Sequence, residues 1–162
     1  MKTRLLFIFS LFIFSLFITS IHLHAQVTET YELTLEGAKS IMAKAVEYAK
    51  ANNSPGGAIA IVDAGGNLVL LERLNGTFPI ASEVSHGKAR TAALFKMPSK
   101  NLEDNILKGR TSLITVGENM LRGGVPIIYK GKVIGGIGVS GAASADQDAE
   151  IAQAGLSALF LQ

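Results

Sequence analysis

No cysteine occurs anywhere in the chain. That absence excludes disulfides, thiolate metal ligands and a lipid anchor built on an N-terminal cysteine. Charge of one sign is lacking too. The 15 Lys and Arg exceed the 13 Asp and Glu by two, and Lys2 and Arg4 are that excess. Beyond residue 25 the chain is formally neutral, which argues against a nucleic-acid partner, because phosphates demand a basic surface or a basic stripe. Histidine is scarce, and His86 is the single one beyond His22 and His24. Internal repeats and low-complexity linkers are missing as well.

The one long hydrophobic run stands at the start. Lys2 and Arg4 precede Leu5 to Ile21, which carry no charge, and Ala25 supplies the small residue a leader peptidase wants at its cut. Residues 1–25 are therefore expected to be a secretory signal peptide, with a mature start near Gln26 and a periplasmic or secreted destination. The alternative is an uncleaved anchor, since the run sits at the short limit of a span of roughly 17 to 25 residues. After leader cleavage no membrane association is expected. Residues 26–162 have the size of one compact domain.

Periodicity supplies the elements. Thr34 is placed to cap a helix in which Leu35, Ala38, Ile41, Met42, Ala45 and Ala49 recur at spacings of three and four. Residues 58–63 read as a strand apolar on both faces, followed by a Gly65-Gly66-Asn67 turn and a second strand over 68–74. A second helix is predicted from Ser82 to about Lys96, ended by Pro98, with a short helical stretch between Ser99 and Leu107. Residues 111–121 read equally as a short strand or a turn. A second hairpin, 125–129 and 132–139, flanks Lys130-Gly131. Ser144 and Gln147 have capping-box spacing for a last helix that runs to the C-terminus. Tight hairpins make antiparallel pairs and helices must cover a sheet face, so the class is α/β (α+β), with an antiparallel sheet of about five strands.

Several motifs dissolve on inspection. Gly136, Gly138 and Gly141 spell a dinucleotide fingerprint, yet the strand and acidic residue it needs about 20 positions on are missing. The strand glycines Gly135, Gly136 and Gly138 instead permit close approach of a helix, a ligand or a partner subunit. Ser85 and Lys88 match S-x-x-K without the companion motifs, and a Ser140, His86, Asp63 triad lacks a nucleophile elbow. No catalytic residue is assigned. On the second helix, His86 and Arg90 lie one turn apart, and Lys88 and Thr91 form a neighbouring pair. Two cations, an imidazole and a hydroxyl would suit an anionic ligand with an apolar body, or else form a solvated helix face.

These residues also carry a family resemblance. Residues 59–68 (Ile-Ala-Ile-Val-Asp-Ala-Gly-Gly-Asn-Leu), 87–93 (Gly-Lys-Ala-Arg-Thr-Ala-Ala), 123–127 with 133–142, and Asp146-Gln-Asp148 resemble the GlcG/HbpS family of haem-binding or haem-degrading domains, in that family's order. The resemblance implies a profilin-like fold, homo-oligomers and, in exported members, haem bound in a redox-sensing or haem-handling role. It carries Lys88, Arg90 and Thr91, and Gly135, Gly136 and Gly138, over as binding positions. The expectation is then an extracytoplasmic haem-binding domain. Its pocket would lie where the second helix meets the last hairpin, with Lys88 and Arg90 on the propionates. His86, Thr91 and Met97 are candidate iron ligands, and His86 is the one entered as a metal position. Two other readings stand beside it: an enzyme acting on haem or a small organic acid, and a non-catalytic oligomeric interaction module.

Overall fold

The computed structural model describes residues 27–160. The leader assigned to residues 1–25 lies outside them. Helix α1 spans Leu35–Ala51, and Thr34 Oγ1 accepts the Gly37 N–H at its start. A hairpin follows, β1 (Ala58–Asp63) and β2 (Leu68–Arg73), then α2 (Ala81–Phe95) and α3 (Ser99–Leu107). A 3-10 turn, Thr111–Val116, leads to the second hairpin, β3 (Gly124–Tyr129) and β4 (Lys132–Ser140). Helix α4 (Ala145–Gly155) ends in a 3-10 turn, Leu156–Phe160, where a helix to the C-terminus was expected. Among the described residues no helix is long and apolar enough to cross a membrane.

The sheet is wholly antiparallel, in the order β2-β1-β4-β3, and has four strands rather than about five. The missing strand is the ambiguous 111–121 segment. Its β-branched residues stay outside, with Ile114 66% and Val116 52% exposed, and it is anchored through Leu113 and Met120, in a small cluster with Leu102. A strand there would need a paired edge and a buried face, and it has neither. The Lys130-Gly131 turn is as expected, because both residues take positive φ, 46° and 74°, as a two-residue hairpin of this twist demands.

Alternation along the strands gives the sheet two unlike faces. Ile59, Ile61, Val125, Ile127, Ile137 and Val139 point one way and form the main core with Ile41 and Met42 of α1 and Ile151 of α4. Each fully buried Ile there contributes about 1.5–3 kcal/mol of transfer free energy. The other face is built of small residues in cross-strand rows: Ala60, Gly138 and Gly124 in one, Val62, Gly136 and Pro126 in the next. Helix α2 lies on those rows through Ala89 and Ala93. A Cβ added at Gly138 would fall 2.2 Å from the Ser85 carbonyl, and at Gly136 2.3 Å from that of Ala89. Only bare backbone lets the helix come so close.

Candidate functional site

The glycine strand therefore serves helix packing, and the expected cavity between α2 and the last hairpin is filled. Gly136 and Gly138 carry the helix. Gly135 faces the opposite layer, where a Cβ would meet Leu33 Cδ2 at 3.3 Å and the Val62 carbonyl at 2.3 Å.

Lys88 also departs from expectation. Its ammonium is sealed inside, 2.9 Å from Asp148 Oδ2, and donates to the Val139 carbonyl at 2.9 Å. The side chains are 4% and 7% exposed. Asp148 Oδ1 accepts the Ala142 N–H, so the pair ties α2, β4 and the start of α4 together. A buried ammonium requires such partners, and Asp148 supplies what a propionate was expected to supply. Lys88 thus acts as an internal brace, not as the free cation of a ligand site.

Arg90 is the cation that faces outward. Its Nη2 donates to Glu118 Oε1 at 2.9 Å, its Nε lies 3.4 Å from Oε2, and its Nη1 donates to the Gly66 carbonyl at 3.2 Å. The hydrogen bond to Glu118, and then its charge, hold the guanidinium pKa above the ordinary arginine value. Gly66 belongs to the β1–β2 turn, whose φ of +80° suits glycine. Asp63 shapes that turn by accepting the Gly65 and Asn67 N–H groups and the Asn67 side-chain amide. Burial alone would raise the Asp63 pKa, but the hydrogen bonds from Asn67, Gly65 and Gly66 outweigh it and hold the carboxyl below its usual value.

Thr91 is fully buried, its Oγ1 2.7 Å from the Asn119 carbonyl and 2.9 Å from that of Gly87. Residues 117–123 cross α2 here. Gly87 has to be glycine, since a Cβ would come 2.7 Å from Asn119 Cβ. Met97 packs against the Leu102, Leu113 and Met120 cluster. His86 is partly buried, and its Nε2 is both shielded from solvent and without a hydrogen-bond partner among the described residues. A neutral imidazole nitrogen in that condition keeps a free lone pair or an unmet proton, at a cost of about 1–3 kcal/mol.

Beside this crossing runs an apolar groove of about 360 Å³, walled by Ile106 and Leu107 of α3, Ile114, Met120 and Leu121, with Glu103 and Glu118 at its rim. The carboxylate that Arg90 holds is thus a groove residue. Sequence reasoning found Arg90 but missed Glu118, Met120 and Leu121, because no periodicity marks an irregular crossing segment. A second groove, about 380 Å³, lies between Thr30–Leu33 and the Asp63–Gly65 turn.

The molecule is thus a small α/β domain with an antiparallel sheet between unlike helical layers and an outward arginine beside an apolar groove. A family model described as "Haem degrading protein HbpS-like" matches residues 33–157, and the chain belongs to that family. Protein GlcG of Escherichia coli K12 is 41% identical over 109 residues, 67% of this chain and 81% of its own. The crystal structure of a double mutant of Streptomyces reticuli HbpS matches with TM-score 0.75 and 33% identity, covering 83% of this chain and 92% of that one. A crystal structure of a PduOC:heme complex matches with TM-score 0.70 and 29% identity, covering 79% and 95%. Haem is named in the description of the family and in the complex of that one neighbour.

Proposed function

We propose that this protein is an exported haem-binding domain that holds the macrocycle in the groove beside α2, with Arg90 meeting a propionate. The observation that carries the reading is the Arg90–Glu118 pair at the rim of the groove, where a carboxylate already sits on the guanidinium beside apolar walls. The residues present fit the group in charge and polarity, with aliphatic and thioether walls for the ring and a planar cation for an anionic edge. His86 Nε2, without a partner among the described residues, lies one turn before Arg90 on α2 and outside the lining of the groove. At about 360 Å³ the groove is at the small end of ligand sites, so one chain covers only part of a tetrapyrrole. A second copy of the chain, in a homo-oligomer, completes the cover. Bound haem supplies an iron centre for electron exchange. The chain's own part is to hold a propionate at Arg90 and to keep water from the ring with Ile106, Ile114 and Met120.

Haemin titration of the chain from Gln26 onward tests this. A shifted Soret band saturating at micromolar haemin is expected, weakened about tenfold by Arg90→Ala, the loss of one charge-assisted contact. Absence of any shift removes the reading, and a shift indifferent to both Arg90→Ala and His86→Ala moves the site elsewhere. The family description favours a second reading, turnover of the bound haem. Reductant and oxygen added to the complex separate the two, because a holder keeps its Soret band and an enzyme loses it. Export is checked by fractionation and by an N-terminus at or near Gln26.

A further inference from the structure

We infer that Glu118 is a built-in stand-in for the ligand's carboxylate, occupying Arg90 in the empty protein and yielding it when an anionic amphiphile enters the groove. The inference rests on the reading of the groove above and goes beyond it by naming what the ligand must displace.

Three features carry it. The two buried or half-buried ion pairs on α2 differ in access. Lys88 and Asp148 are 4% and 7% exposed, and Arg90 and Glu118 are 35% and 19%. The first pair is sealed from solvent, whereas the second is partly exposed and its Glu118 lines the groove. Next, Arg90 keeps its aim without Glu118, because Nη1 also donates to the Gly66 carbonyl. A guanidinium held from behind by a main-chain oxygen presents its remaining N–H groups to whichever carboxylate faces it. Finally, Glu118 can leave alone. It follows Gly117, at φ +80°, while the rest of the crossing is pinned separately. The Asn119 carbonyl accepts from Thr91 Oγ1, the Leu121 carbonyl accepts from Ser99 Oγ, and Arg122 is held by Glu103. Exchange at Arg90 therefore needs a side-chain swing and no unravelling of the segment.

A partly exposed ion pair of this kind competes only modestly, so removing it tightens a carboxylate ligand by about two- to fivefold. Glu118→Gln is the test variant, with retention of the fold checked by its melting temperature. Haemin and its dimethyl ester form one pair of probes, and cis-parinaric acid and its methyl ester form a second pair without iron. Expected is a gain for the free acids in Glu118→Gln, no gain for the esters, and no gain for either in an Arg90→Ala background. Equal gains for acids and esters, or no gain for the acids, would overturn the inference. If neither protein shifts the Soret band, the haem reading is lost, and the parinarate pair alone decides the role of Glu118.

Discussion

A lysine ammonium sixty residues before its carboxylate partner in sequence, yet 2.9 Å from it in space, shows what a helical pattern can and cannot reveal. Spacing put Lys88, Arg90 and Thr91 on one short helix, as the structure has them. It could not tell which cation points into the protein, because Asp148 reads from sequence as a helix-start acid and nothing local links it to Lys88. The consequence is measurable. Asp148→Ala leaves a buried ammonium with one carbonyl and no counter-charge, and should lower unfolding free energy in urea by about 3–5 kcal/mol. The paired change Lys88→Met with Asp148→Leu should recover most of that loss. Glycine tells a similar story with the opposite sign of volume. Gly138→Ala places a methyl 2.2 Å from the Ser85 carbonyl and 2.4 Å from the Ala89 nitrogen. Lifting α2 to admit it should cost about 1–3 kcal/mol, read from the same urea curves.

Elements were more legible than contacts. Thr34, Ser144, Pro98 and the two hairpin turns announce their helices and strands through capping and turn chemistry that acts within four residues. The β1–β2 hairpin also carries a pH dependence of defined sign. Asp63 has a folded pKa below its ordinary value, so its hydrogen bonds stabilise the hairpin fully above about pH 4, the unfolded value, and are lost as pH falls through the lower folded one. Stability should therefore drop on acidification below about pH 4. Asp63→Asn should flatten that part of the profile, and because it loosens the turn that presents the Gly66 carbonyl to Arg90, Arg90-dependent haemin affinity should fall in the same variant. The 111–121 segment was illegible for a physical reason. Four β-branched or aliphatic residues in a row, Leu113 to Val116, read equally as a strand or a turn, and what decides is whether a neighbouring edge is free and a face is covered. Neither is written locally.

At the scale of the whole molecule, the layered order helix, hairpin, helices, hairpin, helix was enough to give an antiparallel sheet with helical cover, while the site that order was expected to enclose turned out to be solid. The partly exposed cation of the same helix, Arg90, instead pairs with Glu118, which lines a groove formed by α3 and the irregular segment that follows it. A single core joins α1, the sheet and α4, and α2 is seated on that sheet by direct contact. The chain from Gln26 should accordingly unfold in one transition. With no tryptophan present, tyrosine fluorescence and far-UV circular dichroism are the probes. Their midpoints should coincide, and two separate midpoints would show that α2 with α3 unfolds independently.

The unlike faces of the sheet also set where this sequence can drift. Beneath α1 and α4 the walls are branched aliphatics, and a lost methylene can be recovered by a neighbour that grows. Beneath α2 the contact is main chain on main chain, with no volume left to trade. A saturation library should therefore return a lopsided map, permissive for aliphatic exchange at Ile59, Ile61, Ile127 and Ile137, and almost blank at Gly124, Gly136 and Gly138.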